Sequence, residues 1–175
     1  NPYWTIRKTG NNDKRDRVLA MANLDYEILP WLKAAVRMGT DLYTEQRLRF
    51  RSKMTYASPN LNGDMSETVT RVKDDYADGL LTAQFDLTDN LKLSMNAGAN
   101  YQKKFLRTVG NSGSEFVVPD LVAIGNTLTR LPIFGLAESE IHSVYSFGQL
   151  AYKNYLYLDF SGRNDWSSTL SPKNN

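Results

Sequence analysis

Apolar and polar residues alternate along most of this 175-residue chain, and this period of two limits the possible folds more than any other feature. In residues 22–39, ANLDYEILPWLKAAVRMG, the apolar positions include Leu24 and Ile28 before the proline and Leu32 and Val36 after it. Successive side chains of a β-strand point to opposite faces of its sheet, so the pattern predicts strands with one apolar and one polar face. The sequence therefore predicts an antiparallel all-β fold, and no segment of it indicates a helix.

The alternation predicts a series of six strands. They cover residues 18–28, 32–54, 81–87, 91–102, 144–152 and 156–163. Three connections are tight, namely Leu29-Pro30-Trp31, Thr88-Asp89-Asn90 and Lys153-Asn154-Tyr155, and two are long, namely residues 56–67 and residues 105–142. Short turns at one end of a sheet and long loops at the other are typical of an up-and-down outer-membrane barrel, with periplasmic turns and extracellular loops.

Three-residue loops at the tight connections keep the apolar faces of successive strands together, because a slip of one residue moves every side chain to the other face. The pairs predicted by this parity are Ile28 with Leu32, Leu87 with Leu91, and Tyr152 with Leu156. In the fifth strand the same rule predicts that one set of side chains points outward, namely Val144, Leu150 and Tyr152. The other set points inward, namely Tyr145, Phe147 and Gln149.

The apolar face could contact either the core of a soluble sheet or the lipid of a membrane. The second predicted strand rises about 3.3 Å per residue and is longer than a hydrocarbon band of about 25 Å requires. Aromatic residues stand beside the tight connections, where a barrel has an aromatic girdle; they are Tyr26, Trp31, Phe85, Tyr152 and Tyr155. The pattern therefore favours a lipid-facing barrel wall over a soluble antiparallel β-sheet binding module.

The composition excludes several kinds of chemistry. The chain has no cysteine and a single histidine, His142, which excludes a metal cluster built on those residues and a cysteine nucleophile. No base can be assigned to Ser167 or Ser168, and a net charge of +2 gives no support for nucleic-acid binding. We predict that the chain is not an enzyme and has neither a cofactor nor a metal site.

Two motifs resemble the SusC/RagA family of TonB-linked outer-membrane transporters. Residues 152–170, YKNYLYLDFSGRNDWSSTL, are similar to a strand of that family that ends in Arg-x-Asp-x-Ser-Ser, here Arg163, Asp165, Ser167 and Ser168. NPYW at residues 1–4 and DRVLAMANLDYEILPWLKAAVRMGTD at residues 16–41 resemble the middle of the family's barrel. The two motifs occur in the family's order, so the resemblance extends over most of the chain.

The resemblance implies that residues 1–175 are an internal part of one barrel domain of about 22 strands around a plugged lumen. The plug domain, the TonB box and the carboxyl-terminal strands are expected outside this segment. A TonB-type protein would power import through the bacterial outer membrane, among lipid and lipopolysaccharide. A SusD-like surface lipoprotein would capture the substrate, an oligosaccharide or oligopeptide. A barrel with a structural or adhesive role remains a third possibility.

The sequence offers several candidate binding residues. Arg47, Arg49, Arg51 and Lys53 alternate on one face of the second strand and could guide an anionic substrate through the lumen. The alternative is a solvated strand end, or contacts with lipopolysaccharide phosphates or plug carboxylates. Aromatic residues near the outer end could stack on sugars or only pack within loops; they are Tyr3, Trp4 and Trp166.

Two further sets of residues could bind a ligand, but a structural role explains each of them more simply. Arg163 and Asp165 carry the family motif, but a structural ion pair is favoured over contact with a substrate. Asp74, Asp75, Asp78 and Gly79 could supply oxygen ligands to calcium, but their spacing departs from a D-x-D-x-D-G loop. A hydrated loop is the favoured interpretation of this segment.

Overall fold

Six antiparallel strands form a single sheet in the computed structural model, which describes residues 2–55, 61–153 and 155–170. Each strand neighbours only those next to it in sequence, in the order β1 to β6. The strands are β1 (Thr9–Leu29), β2 (Leu32–Arg51), β3 (Asp64–Thr88), β4 (Leu91–Phe116), β5 (Thr127–Tyr152) and β6 (Leu156–Ser167). A short helix, α1 (Pro2–Lys8), precedes β1, and a single 3-10 turn (Ile124–Asn126) precedes β5. This arrangement confirms the predicted up-and-down all-β fold.

Several strands extend well beyond their predicted ends. β1 begins at Thr9, β3 at Asp64 and β5 at Thr127, so the predicted long loop over residues 105–142 is wrong except for residues 117–126. The added part of β1, residues 9–17, is polar on both faces of the sheet, so its sequence shows no alternation. Residues 56–60 of the other predicted loop, and Asn154, lie outside the described residues.

The expectation that the chain contains no helix is also wrong, because residues 2–8 form α1. A helix of seven residues is too short to show a period of 3.6 in the sequence. Pro2 occupies its first position, where the missing N–H is tolerated and the fixed φ angle suits a helix. Among the described residues, no helix is both long enough and apolar enough to cross a membrane.

The tight connections keep the predicted parity. β5 and β6 pair with Tyr152 opposite Leu156, across three residues. The strand bounds leave two residues at each of the other connections, but the contacts along the strands fit the predicted pairs. The Met21 side chain lies beside Gly39. Met21 precedes Ile28 by as many residues as Gly39 follows Leu32, so this contact fits a pairing of Ile28 with Leu32. The Thr82 hydroxyl donates to Asn96 Oδ1 at 2.7 Å. Thr82 precedes Leu87 by as many residues as Asn96 follows Leu91, so this bond fits a pairing of Leu87 with Leu91.

The two faces of the β5–β6 pair differ in the way that the parity rule predicts. One face, the apolar face, carries the opposed pairs Leu150–Leu158 and Tyr152–Leu156. The other, the polar face, carries Tyr145–Arg163, Phe147–Ser161 and Gln149–Asp159. The predicted division of the fifth strand is therefore confirmed.

The apolar side chains of the sheet are largely uncovered. Leu24 is 67% exposed and Leu158 is 63% exposed. Within the described ranges only Met65, Val72 and Phe116 are buried apolar residues. A soluble sheet buries its apolar face against a second layer, and the described residues supply none. The described residues therefore leave the apolar face of the sheet uncovered.

Aromatic side chains lie beside the tight connections, as the sequence predicts. The rings of Trp31 and Phe85 are 5.2 Å apart, and those of Tyr152 and Tyr155 are 5.9 Å apart. The Lys153 N–H donates to the Asn90 carbonyl at 2.8 Å, which joins two neighbouring turns.

Residue contacts divide the chain into two compact units. The α1 unit comprises Asn1–Val18, Leu42–Val72 and Phe105–Ala137. The tight-turn unit comprises Leu19–Asp41, Lys73–Lys104 and Glu138–Asn175, and it contains all three tight connections. Each unit has a polar cluster of its own.

Candidate functional site

A cavity of about 910 Å³ lies in the α1 unit. Its apolar lining includes Phe50, Met65 and Leu131. Most of the lining residues have polar side chains, and they come from the non-adjacent parts of the chain that form α1 and β1 to β5. The polar residues include Arg49, Arg51, Asp64, Ser66, Ser114 and Thr129. A space of this size is at the upper end of the range of ligand pockets, about 300–1,000 Å³.

The four basic residues predicted to share one face of the second strand, Arg47, Arg49, Arg51 and Lys53, are called the basic ladder. Three of them lie in β2, and two of them line the cavity. Arg47, Arg49 and Arg51 alternate along the strand and so share one face. Lys53, the fourth residue, falls in the turn after β2 and does not line the cavity. The structure therefore brings Arg49 and Arg51 to a common space.

Carboxylates neutralise two of these arginines. Arg47 Nε lies 3.0 Å from Asp13 Oδ1, and its Nη2 lies 2.7 Å from Glu45 Oε1. Arg51 Nη2 lies 2.8 Å from Asp64 Oδ1. Glu45 also accepts hydrogen bonds from the Arg15 guanidinium. Much of the predicted positive charge of the basic ladder is therefore balanced within the sheet.

Arg49 has a different environment. Its Nε donates to Asn11 Oδ1 at 3.3 Å, and Asn11 is a neutral amide. Arg49 is exposed, whereas Arg47 and Arg51 are only partly exposed. Within residues 2–55, 61–153 and 155–170, no ion pair joins Arg49 to a carboxylate.

The predicted aromatic residues do not line this cavity. Tyr3 and Trp4 lie in α1 and are 76% and 44% exposed. The Lys8 ammonium lies 5.4 Å from the Trp4 ring and also pairs with Asp120 Oδ1 at 2.6 Å. Trp166 lies in β6, opposite His142 of β5.

The four motif residues lie at the end of β6 or directly after it, and two of them, Arg163 and Ser168, contact the middle of β5. Arg163 Nε donates to Asp165 Oδ1 at 2.8 Å, and Arg163 Nη2 donates to the buried Ser143 hydroxyl at 3.0 Å. The Ser167 hydroxyl lies 2.8 Å from that of Thr169. Ser168 makes two bonds to the backbone of one β5 residue, because its N–H donates to the Glu140 carbonyl and its hydroxyl accepts from the Glu140 N–H, each at 2.9 Å. These contacts are those of a structural brace.

A second polar cluster, which the sequence did not predict, crosses the tight-turn unit. The Tyr145 hydroxyl of β5 donates to Asp78 Oδ2 of β3 at 2.6 Å, and the side chain of Asp78 is only 10% exposed. Arg37 Nε of β2 lies 4.0 Å from Asp78 Oδ1. Gly98 of β4 leaves room for the tyrosine, since a Cβ there would lie 2.5 Å from Tyr145 Cζ. The sequence signal for this cluster was Gly98 of β4, which lies between the strand that carries Asp78 and the strand that carries the inward Tyr145.

The acidic segment proposed for calcium is not a loop. Asp74, Asp75, Asp78 and Gly79 all lie within β3, so the favoured hydrated loop is wrong. Asp75 accepts a hydrogen bond from the Thr40 hydroxyl at 2.8 Å and pairs with Lys73 at 2.6 Å. Successive residues of a strand point to opposite faces, so Asp75 and Asp78, which are three residues apart, lie on different faces. Among the described residues there is no group of three or more histidine, cysteine, aspartate or glutamate residues that could hold a metal ion.

No protein-family model and no curated protein sequence matches the chain. Solved structures do match it. The RagAB peptide transporter superposes with a TM-score of 0.84 at 19% identity, over 98% of this chain and 20% of that one. The RagAB peptide importer in its "open-open" state gives a TM-score of 0.82 at 20% identity, over 95% of this chain and 19% of that one.

A third similar structure is BauA, the ferric preacinetobactin receptor from Acinetobacter baumannii. It gives a TM-score of 0.57 at 15% identity, over 92% of this chain and 26% of that one. This chain spans about a fifth of the length of the RagAB chains that it matches. At these identities the likeness is one of fold, and it confirms the predicted antiparallel up-and-down β-barrel segment.

Proposed function

We propose that the chain is part of the wall of a TonB-dependent transporter in the bacterial outer membrane. The observation that carries this proposal is a single up-and-down sheet with an exposed apolar face that superposes over 98% of its length on the RagAB peptide transporter. In this arrangement the apolar face contacts lipid and lipopolysaccharide, and the polar face lines the lumen. Residues 1–175 are then one part of a barrel domain whose plug and TonB box belong to other parts of the full-length protein.

The substrate class is an oligopeptide or an oligosaccharide. The RagAB structures are named as a peptide transporter and a peptide importer, which makes a peptide the first ligand to test. A SusD-like lipoprotein captures the substrate outside the cell, and TonB supplies the energy for import.

The predicted site residues take separate roles in this proposal. The polar face of β2 lines the path of the substrate through Arg47, Arg49 and Arg51, with Lys53 at its outer end. Tyr3, Trp4 and Trp166 are available for stacking on a substrate, since all three are at least 40% exposed. Arg163, Asp165, Ser167 and Ser168 hold β5 and β6 together.

Fractionation of the producing cells, followed by peptide mass spectrometry, tests the location. We expect peptides of this sequence in the outer membrane, from a chain several times longer than 175 residues. Deletion of the gene should then abolish uptake of a labelled oligopeptide or oligosaccharide, and deletion of TonB should do the same. A soluble chain of this length, or unchanged uptake in both deletion strains, would refute the proposal.

A further inference from the structure

We propose that the cavity of the α1 unit binds its ligand through a single carboxylate, and that Arg49 is the cation that receives it. The inference rests on the proposed transport function and specifies the chemistry of the ligand.

Arg49 is the arginine of the ladder whose charge is not balanced. Arg51, which also lines the cavity, lies 2.8 Å from Asp64 Oδ1. Arg47, outside the cavity, contacts both Asp13 and Glu45. The hydrogen-bond partner of Arg49 is the neutral Asn11, and the neighbouring residues 56–60 include no aspartate or glutamate. The α1 unit therefore presents one exposed guanidinium to the cavity without a matching carboxylate.

A carboxylate is the group that best fits this guanidinium. The bond to Asn11 uses Arg49 Nε, so the two terminal nitrogens are available to donate to both oxygens of one carboxylate. A phosphate monoester carries a charge of about −1.5 to −2 at pH 7, which one guanidinium does not balance. Among the described residues that line the cavity, the ion pair of Asp64 with Arg51 leaves no second unbalanced cation for a further acidic group on the ligand.

The remainder of the cavity suits an uncharged, polar chain. Ser66, Ser114 and Thr129 line it with hydroxyl groups, which can both donate and accept hydrogen bonds. Leu131 adds apolar surface. The carboxylate could belong to the end of a peptide or to an acidic sugar, and the two sources share the recognition by Arg49.

The test uses the full-length transporter with its lipoprotein, and it compares matched pairs of ligands. One pair is a peptide with a free carboxyl terminus and the same peptide as its amide. The other is an oligosaccharide that ends in a uronate and its neutral counterpart. Binding to the purified complex and uptake by cells are measured for the wild type, for Arg49→Gln and for Lys14→Gln. Lys14→Gln is the charge-matched control, because Lys14 lies in the same unit and does not line the cavity.

We expect the wild type and Lys14→Gln to bind the carboxylate form of one pair about 10- to 100-fold more tightly, the range for a hydrogen bond to a charged group. Arg49→Gln should lose this preference and keep its affinity for the neutral form. The pair that shows the preference identifies the source of the carboxylate.

Equal binding of both forms by the wild type, or a preference that persists in Arg49→Gln, would overturn the inference while uptake still supports the transport function. A preference in binding that depends on Arg49, without uptake of any ligand, would refute transport and leave the assignment of the cavity standing. Binding of none of the four ligands would refute the inference.

Discussion

The hydrogen bond between Tyr145 and Asp78 allows a quantitative test of the polar cluster in the tight-turn unit. Its donor and acceptor atoms are 2.6 Å apart, and Asp78 is largely buried, so loss of the hydroxyl leaves a carboxylate oxygen with little access to water. Arg37 does not replace that bond, because its Nε lies 4.0 Å from the other carboxylate oxygen. A hydrogen bond to a charged group contributes about 1.5–3 kcal/mol. We therefore expect Tyr145→Phe to lower the free energy of unfolding by about 2 kcal/mol.

The assay is urea unfolding of the full-length protein refolded into lipid vesicles, with the midpoint and slope fitted for each variant. Tyr152→Phe is the control, since that tyrosine lies near the turn of the same strand and is 37% exposed; we expect a change below about 0.5 kcal/mol. A double-mutant cycle with Asp78→Asn should give a coupling energy of at least about 1 kcal/mol. Additive effects in that cycle, or an unaltered midpoint in Tyr145→Phe, would refute the reasoning.

Two further pairs of substitutions test the packing of the sheet and the solvent on its apolar face. Gly98→Ala places a Cβ 2.5 Å from Tyr145 Cζ and 2.8 Å from a backbone carbonyl oxygen, and overpacking of this kind costs about 1–3 kcal/mol. Gly79→Ala meets no heavy atom within 4 Å, so equal loss of stability in both variants by urea unfolding would contradict this account. Leu158→Arg on the apolar face should destabilise the membrane-inserted protein by about 1–2 kcal/mol, between the cost at the interface and that at the bilayer midplane, whereas Ser161→Arg on the polar face should change it little. A similar cost at both positions would mean that lipid does not cover the apolar face.

The sequence predicted the parts of the fold in which the two faces have different surroundings. From Leu91 to Tyr101, for example, each apolar residue is followed by a polar or small one, and this segment of β4 was assigned correctly. Further along β4, Lys103 and Lys104 are adjacent, so the strand has a charged residue on each face. A segment with polar surroundings on both faces shows no alternation of apolar and polar residues. Strand ends of this kind depend on backbone pairing with their neighbours, which the local sequence does not encode.

The candidate sites were harder to predict, because they are assembled from distant parts of the chain. The sequence identified the basic ladder, but the balance of its charges depends on the pairing of β2 with β1 and β3, which brings Asp13 to Arg47 and Asp64 to Arg51. The cluster of Asp78 and Tyr145 joins residues of β3 and β5, which are separated by β4. Its prediction requires the register of β3 with β4 and that of β4 with β5. One of those registers is set by a long connection, and the sequence does not specify it.

The neighbour-only order of the strands makes the hairpin the unit by which a wall of this kind can change in size. β1–β2, β3–β4 and β5–β6 are each closed by a tight turn, and every strand pairs only with strands adjacent in sequence. Removal or duplication of one hairpin leaves the remaining strands antiparallel and keeps every apolar residue on its face. Removal of a single strand would reverse the direction of all strands that follow it. Evolution or engineering can therefore alter the circumference of such a pore in steps of two strands, with the rest of the wall unchanged.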